Sequence, residues 1–235
     1  GKGSGLGGEV HGVREGTGKY GASEGTSGEE EDSTRPLDST RYFETAQGIK
    51  TYSEVAEILA VSVHRSIEQI LDGIPDDIHI TPEWICKLHG EIAGSLFPDW
   101  AGRFRDVNVQ VGFHIPPPYF EVPVHMRLYC EDLTARLTAS APADIEKKSE
   151  TFAYADWRFQ WVHPFKDFNG RVGRILLSAL LFKLRLPPAE TASVDPTGKE
   201  RYLRALHEAD AGDLSLLTEI WMERLSRELK ENREK

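Results

Sequence analysis

The sequence predicts an all-α fold in one domain. From residue 52 onward, apolar residues recur every three or four positions over most of the chain, which is the period of an amphipathic helix. Glycine and proline separate these segments and leave about seven helices. The alternation typical of strands is confined to one short segment, so a small hairpin is the only β element that we expect.

The helices can be placed in order from their periodicity and their start signals. The first covers residues 52–71 and ends at Asp72-Gly73-Ile74-Pro75. The second begins at Thr81, an N-cap residue that is followed by Pro82 in the first turn. The others cover residues 124–137, 145–162, 175–184, 197–207 and 214–229, and the fifth is apolar nearly all round, which predicts a central buried helix.

The N-terminal segment differs in composition from the rest. Residues 1–38 are of low complexity, and they are rich in glycine and acidic residues. Such a segment buries too little apolar surface to offset its chain entropy, so we expect disorder there. The folded domain is assigned to residues 39–235, with regular structure starting near residue 46.

Composition excludes several classes of function. A net charge of −10 argues against nucleic acid as a principal partner. The two cysteines are too few for a disulfide scaffold or a zinc site. No apolar run is long enough to span a membrane or to form the core of a signal peptide, so we expect a cytoplasmic protein without a membrane partner. A secreted effector delivered into another cell is the alternative.

Polar residues cluster between the fourth and fifth predicted helices. A loop that opens into a helix presents backbone N–H groups without partners, which is a natural anion site. Gly170 lets the backbone approach a ligand closely, and Asn169 adds an amide donor. Arg171 and Arg174 are three apart and share a helix face, which suits a di- or triphosphate.

Two further residues in this stretch suggest group transfer. Asp167 is the only acid in the loop, and a hard oxygen ligand beside phosphates is what Mg²⁺ prefers. His163 closes the preceding helix and, if neutral, can take a proton from an incoming hydroxyl. Taken singly, a histidine at a helix end is usually a cap and an aspartate usually a turn residue, so the joint spacing carries the hypothesis of phosphoryl or nucleotidyl transfer.

This stretch, His-Pro-Phe-Lys-Asp-Phe-Asn-Gly-Arg-Val-Gly-Arg, resembles the Fic/Doc family motif H-x-F-x-D/E-G-N-G-R-x-x-R. The resemblance extends over roughly residues 50–210. It implies a Fic-type helical bundle that transfers AMP from ATP to a Ser, Thr or Tyr hydroxyl of a target protein, with self-modification as a further activity. It also implies that His163 is the base, that Asp167 holds Mg²⁺, and that the phosphates are held by Asn169, Gly170, Arg171 and Arg174.

One motif position departs from the family. Phe168 stands where the family has the first glycine of Gly-Asn-Gly. A bulky side chain there could alter the phosphate site, yet the residues that make charge contacts are all retained. We therefore interpret Phe168 as a tolerated variant within the nucleotide site. Tyr202 is a further candidate, at the border of the adenine pocket by family analogy, although core packing is its ordinary role. His89 is read as a satisfied structural histidine.

The flap, residues 104–126, breaks the helical pattern. Short alternating pieces flank Pro116-Pro117-Pro118, which predicts a small hairpin or a structured loop. By resemblance, such a segment, preceded by one like Ala101-Gly102-Arg103-Phe104-Arg105, lies over the active site and pairs with the target's backbone. The target-binding residues are then Gly112, Phe113, His114, Ile115, Phe120, Glu121 and Val122.

Regulation is the least determined feature. Many Fic proteins carry an inhibitory helix with the pattern S/T-x-x-x-E-G/N, whose glutamate pairs with the second motif arginine, here Arg174. Thr40 to Glu44 matches its first five positions, but Thr45 follows. Other partial matches are equally loose, so we expect no intact inhibitory motif and a separate, antitoxin-like inhibitory protein. Glu44 is the best internal candidate.

Two alternatives remain open from the sequence. A Fic-fold transferase could use another donor, for UMP, phosphate or phosphocholine transfer, because several donors share a diphosphate. A Fic-like module in which Phe168 blocks the phosphate site would bind without catalysis.

Overall fold

The computed structural model describes residues 42–139, 144–192 and 195–232, and within these ranges it contains seven α-helices and one hairpin. The helices are α1 (Tyr52–Leu71), α2 (Pro82–Ala93), α3 (Val122–Ala139), α4 (Ile145–Val162), α5 (Asn169–Lys183), α6 (Pro196–Asp210) and α7 (Ser215–Glu231). The strands are β1 (Tyr42–Thr45) and β2 (Gly48–Thr51). The predicted all-α class is confirmed, and the predicted low-complexity segment, residues 1–38, lies outside the described residues.

Capping chemistry sets the starts of α1 and α2. The Thr51 hydroxyl accepts a hydrogen bond from the Glu54 N–H at 3.3 Å, and the Glu54 carboxylate accepts the Thr51 N–H at 2.7 Å. This reciprocal pair is a capping box. Thr81 caps α2 by accepting the Trp84 N–H at 3.1 Å, with Pro82 in the first turn, as the sequence predicted.

The hairpin lies at a different place from the one predicted. Strands β1 and β2 pair antiparallel, with Tyr42 opposite Thr51, and β1 lies upstream of residue 46, where regular structure was expected to begin. The Ala46 N–H donates to the Leu96 carbonyl at 2.8 Å, and the Phe43 ring packs on Phe97 at 6.0 Å between centroids. The hairpin is therefore attached to the chain just after α2, and it is not part of the flap.

Helix α5 lies at the centre of the bundle, as its apolar sequence predicted. It packs against α1, α2 and α4, while α4 also packs against α3, α6 and α7. Side chains around its whole circumference are buried, namely Val172, Ile175, Leu176, Leu177, Ala179, Leu180 and Leu181. Because α4 and α5 are both interior helices, the loop that joins them is anchored at each end.

Two further structural features are the state of the cysteines and the length of the apolar helices. Cys86 is partly buried, Cys130 is buried, and both are free thiols, in keeping with their reading as small apolar residues. None of the helices in the described ranges is both long and apolar enough to cross a membrane.

Candidate active site

The loop between α4 and α5 begins and ends in left-handed backbone conformation. His163 closes α4 with φ 47° and ψ 62°, and Phe168 precedes α5 with φ 64° and ψ 19°. For residues other than glycine this conformation costs about 1–2 kcal/mol each, so the surroundings must hold it in place. The two bends reverse the direction of the chain tightly. The motif residues 163–174 therefore all lie at the N-terminal end of α5.

Asn169 closes this loop from within. Its Oδ1 atom accepts the Phe165 N–H at 2.9 Å, and its Nδ2 donates to the Phe165 carbonyl at 3.0 Å. The side chain is 1% exposed, so these bonds are shielded from water. The structure thus places Asn169 as a brace of the loop, whereas the sequence assigned its amide to the phosphates.

Asp167 is oriented by the start of α5. Its Oδ1 accepts the backbone N–H of Phe168 at 2.8 Å, which fixes the direction of the carboxylate. Within the described residues no group of three or more His, Cys, Asp and Glu side chains is placed to hold a metal ion. A lone oriented carboxylate fits Mg²⁺, because that ion commonly takes one or two carboxylates and completes its shell with phosphate and water oxygens.

His89, on α2, supports the loop from below. Its ring stacks on Phe165 with centroids 3.9 Å apart and planes 6° apart, and it is 0% exposed. Its Nδ1 accepts the Gly102 N–H at 2.9 Å, so the proton lies on Nε2, which faces the Asp167 carbonyl at 3.3 Å. Burial lowers the pKa of His89 to about 4, and the bond to Asp167 opposes that shift. The reading of a satisfied structural histidine agrees with these contacts.

Arg105 holds the other side of the loop. Its guanidinium, 2% exposed, donates from Nε to the His163 carbonyl at 2.8 Å and from Nη2 to the Val162 carbonyl at 3.3 Å. It also donates to the carbonyls of Val107 and Pro117 in the flap. A single side chain therefore joins the end of α4 to both arms of the flap, a role that the sequence did not reveal.

His163 is neutral in this environment. Burial is the largest cause that lowers its pKa to about 4, the charges of Arg105 and His114 act in the same direction, and Asp167 opposes them. A neutral imidazole near pH 7 is able to accept a proton, which is the property that a general base needs.

The first turn of α5 is the candidate anion site. The Val172 N–H is bonded to the Phe168 carbonyl, and Phe168 provides no side-chain cap for the helix. The N–H groups of residues 169–171 precede that first intrahelical bond and are directed out of the helix end. Arg171 is 6% exposed, with its guanidinium 5.7 Å from the centre of the Phe168 ring, and Arg174 is partly buried one turn later.

Phe168 lies in the core and not in the anion site. Its ring is 2% exposed and packs on Phe97 and Trp100 at 5.6 and 5.8 Å between centroids. The backbone at this position is left-handed, which explains why a glycine suits the family motif here. The side chain that departs from the motif is thus accommodated beneath the loop.

Tyr202 is committed to a buried polar cluster next to the site. Its hydroxyl donates to Asp156 at 2.7 Å, and the Trp221 indole donates to the same carboxylate at 3.1 Å. Burial raises the pKa of Asp156 to about 6, against these two bonds and the charge of Arg224. Burial also raises the pKa of Tyr202, and the charges of Arg224 and Arg174 oppose that rise. Tyr202 therefore lies within electrostatic range of Arg174. Its hydroxyl is hydrogen-bonded to Asp156, which is a packing role and not a contact with an adenine.

The flap is a structured loop with one tight turn, and the predicted alternating strands are not formed. Val111 and His114 exchange backbone hydrogen bonds of 3.0 and 2.9 Å around Gly112, whose φ is 57°. Pro116 and Pro117 are buried at its base, where missing N–H groups prevent a strand ladder. Residues 119–121 form a 3₁₀ turn.

The predicted target-binding residues separate into two groups. Phe113, Ile115 and Phe120 are 103%, 75% and 66% exposed, and Gly112 and Glu121 are exposed as well. The prediction that Val122 binds the target is wrong, because Val122 begins α3 and is fully buried. His114 is also set apart, since its ring is hydrogen-bonded to the body of the protein.

The candidate inhibitory residue lies on a strand. Glu44 is exposed in β1 opposite Ile49, whereas the family pattern requires a helix. The sequence did not predict that Arg105 supports the loop. The signal that could have found this role is the Ala101–Arg105 segment, in which the Gly102 N–H donates to the structural His89 and Arg105 donates to the His163 carbonyl.

Comparison with known proteins adds a family match. A model of the Fic/DOC family matches residues 79–181. The Protein adenylyltransferase Fic of Drosophila persimilis is 29% identical over 188 residues, which are 78% of this chain and 35% of that protein. The protein of the same name from Nematostella vectensis is 29% identical over 135 residues, which are 57% of this chain and 30% of that protein. The chain thus spans about a third of the length of the curated relatives it matches.

Solved structures share the fold. BepC, a VirB-translocated effector protein of Bartonella tribocorum crystallised with bound AMPPNP, superposes with a TM-score of 0.63 at 16% identity over 80% of this chain and 94% of that chain. Fic-1 from C. elegans superposes with a TM-score of 0.59 at 23% identity over 78% and 53%. These similarities establish a common fold.

Proposed function

We propose that the chain carries a domain of the Fic/DOC family, whose model matches residues 79–181, and that it transfers AMP from ATP to a Ser, Thr or Tyr hydroxyl of a target protein. The observation that carries the proposal is the pairing of a neutral imidazole with an anion site at one loop. His163 follows the last residue of α4, and its pKa is lowered to about 4. Helix α5 begins at Asn169, and its N-cap residue, Phe168, makes no side-chain cap. The curated relatives are named adenylyltransferases, which supports this choice of reaction.

The proposed reaction uses the groups at this loop in a defined order. The N–H groups of residues 169–171, with Arg171 and Arg174, bind the phosphates of ATP. The acceptor hydroxyl approaches His163, which takes its proton as the oxygen bonds to the α-phosphorus. The bond from that phosphorus to the bridging oxygen of the β-phosphate breaks, and pyrophosphate leaves. Asp167 is the residue that would hold Mg²⁺, whose chemistry here is to neutralise phosphate charge.

The loop is built to hold this arrangement before the substrate arrives. Asn169 closes it, His89 stacks beneath it, and Arg105 ties its first carbonyl to the flap. Positioning of this kind supplies much of the rate enhancement in phosphoryl transfer, because little covalent chemistry is left to the protein.

The binding-module alternative depended on Phe168 blocking the phosphate site. Its ring packs on Phe97 and Trp100 in the core, so this argument loses its support. Transfer of UMP, phosphate or phosphocholine remains as an outcome of the test. We also propose that inhibition comes from a separate, antitoxin-like protein and that the reaction takes place in the cytoplasm.

The test is incubation of the protein with a panel of nucleotide donors and Mg²⁺, followed by mass spectrometry of the products. A mass increase of one adenylyl group, with label from the α-phosphate of ATP, supports the proposal. Label from the γ-phosphate alone would show kinase chemistry. If no donor yields an adduct, the transferase proposal is wrong and a binding module without catalytic activity is favoured.

A further inference from the structure

The polar side chain of Gln160 lies one helical turn before the proposed base. Asp156 and Gln160 are four residues apart on α4, so they share one side of the helix, and His163 follows as its C-cap. The backbone carbonyl of Gln160 faces the imidazole of His163 and opposes the effect of burial, which lowers the pKa of that histidine. Gln160 is therefore close to the point at which the acceptor oxygen and the nucleotide donor would meet.

Gly173 makes room for the Gln160 side chain against α5. A Cβ atom at position 173 would lie 2.9 Å from Nε2 of Gln160 and 3.4 Å from the ring of Phe159. The first distance is shorter than Cβ contacts in folded proteins, so any larger residue would displace the amide. In the chain, Gly173 stands between Arg171 and Arg174, the two residues proposed to bind phosphates. The amide of Gln160 therefore lies beside the proposed nucleotide site.

The amide of Gln160 is available to a ligand. Among the described residues it makes no hydrogen bond with a protein group, and the residue is only partly buried. Asp156, the polar side chain one turn earlier, is already engaged, because its two carboxylate oxygens accept hydrogen bonds from Tyr202 and Trp221. An amide offers two N–H donors and one carbonyl acceptor. Gln160 can therefore both donate to and accept from a polar group that lies between α4 and α5.

We propose that Gln160 is a nucleotide-contacting residue, whose amide forms a hydrogen bond with a ribose hydroxyl of the ATP donor. This inference rests on the proposed function, because it places the α-phosphate at His163 and the other phosphates at the N–H groups of residues 169–171. The ribose is joined to the α-phosphate on the side opposite the other phosphates, so it lies beside α4 about one turn from the base. A hydroxyl donates and accepts, as an amide does, so this contact favours a ribonucleotide over its deoxy form.

Equilibrium binding tests the contact without any transfer of AMP. Isothermal titration calorimetry of the full chain with Mg²⁺ would use the α,β-methylene analogue of ATP, whose P–C–P bridge is not cleaved by AMP transfer. The same analogue without its 2′-hydroxyl, and the one without its 3′-hydroxyl, are the comparison ligands. The wild type should bind the complete analogue about three to ten times more tightly than at least one deoxy analogue, the effect expected of one hydrogen bond. Equal affinity for all three ligands would overturn the inference.

Two variants remove the amide by different routes. Gln160→Leu keeps a side chain of similar size without donor or acceptor, and Gly173→Ala fills the space that the amide occupies. Both should bind the complete analogue about three to ten times more weakly than the wild type does, and neither should distinguish it from the deoxy analogues. Gln69→Leu, exposed on α1, is the control and should behave as the wild type. Wild-type discrimination in Gln160→Leu or in Gly173→Ala would contradict the contact.

The two proposals fail separately. If the analogues bind as expected while no donor yields an adduct, the ribose contact stands and the transferase proposal falls. If AMP transfer occurs but nucleotide binding does not depend on Gln160, the transferase proposal stands and the ribose contact falls. Where both hold, Gln160→Leu should raise the KM for ATP about three- to tenfold and leave the KM for the acceptor protein within about twofold of the wild type.

Discussion

The Nε atom of Arg105 donates a hydrogen bond of 2.8 Å to the backbone carbonyl of His163, the residue proposed as the base. The same guanidinium donates to the carbonyls of Val107 and Pro117, so the flap and the base share one buried support. An arginine suits this position because its planar fork presents five donors, whereas a lysine presents one compact ammonium.

Arg105→Lys is therefore expected to disturb loop and flap together. Several buried carbonyls lose their donor, so the free energy of unfolding should fall by about 2–4 kcal/mol. AMP transfer measured well below the melting temperature should fall at least about tenfold, because the left-handed turn at His163 loses its tether. Arg103→Lys, exposed two residues earlier, is the matched control and should change neither quantity. Equal activity in the two variants would contradict the role of Arg105.

His163→Ala tests the base. We expect labelling from the α-phosphate of ATP to be abolished while the circular dichroism spectrum and the melting temperature stay close to those of the wild type. Because the pKa of His163 is lowered to about 4, kcat/KM should show no protonation step of this residue near pH 6.5. His64→Ala, on the exposed face of α1, is the control. Labelling that survives in His163→Ala would remove it as the base.

His89 predicts a pH dependence of stability. Its pKa is about 4 in the folded protein and 6.5 when unperturbed, so the unfolded chain binds the proton more tightly. Its contribution is present above about pH 6.5 and is lost as pH falls toward 4, with a limit of about 3 kcal/mol. Asp156, with its pKa raised to about 6, acts in the opposite direction, and His163 acts in the same one.

The variant that isolates this effect is His89→Asn, which can still accept the Gly102 N–H but does not titrate. Denaturant unfolding should show the wild type to be the more stable at pH 7.5, with a difference that narrows as pH falls to 4.5. A difference independent of pH would show that His89 does not remain neutral in the fold.

Phe168→Gly separates stability from catalysis. Glycine relieves the left-handed strain, but the loss of a fully buried ring outweighs it, so a net loss of about 2–3 kcal/mol is expected. The anion site is made by the backbone of residues 169–171, so transfer at low temperature should stay within about threefold of the wild type. Phe168→Leu, which keeps an apolar side chain, should lose less stability. A large gain in activity in the glycine variant would mean that the ring obstructs the nucleotide.

Glu44→Gly addresses internal inhibition. Glu44 is exposed on β1, so self-modification of the variant should match that of the wild type within about twofold. Tyr42→Gly, on the same strand and also exposed, is the control for disturbance of the hairpin. A marked increase confined to Glu44→Gly would identify an internal inhibitory glutamate and remove the need for a separate inhibitor.

Periodicity predicted the helices well because it depends on local chemistry. The bounds of α1 and α4 agree with the sequence to the residue, and Thr81 caps α2 as expected. The flap was predicted less well, since alternation alone does not show whether a partner strand exists. The buried prolines at its base have no N–H group to donate to a strand ladder, so a hairpin is not formed there.

The loop residues were identified by their spacing, but their roles depend on contacts between distant segments. The sequence cannot show that the Gly102 N–H sets the tautomer of His89, or that Arg105 reaches the His163 carbonyl. It also cannot show that the ring of Phe168 is directed inward, because the left-handed backbone decides that direction.

The aromatic ring at Phe168 joins the proposed nucleotide loop to the same packed cluster that holds the N-terminal hairpin, through Phe97 and Phe43. Within the described residues, this aromatic packing couples the proposed nucleotide loop directly to the hairpin. Heat inactivation and loss of tertiary structure should therefore occur at the same temperature. Substitution of these aromatic residues should reduce activity as well as stability, although none of them is proposed to contact a substrate.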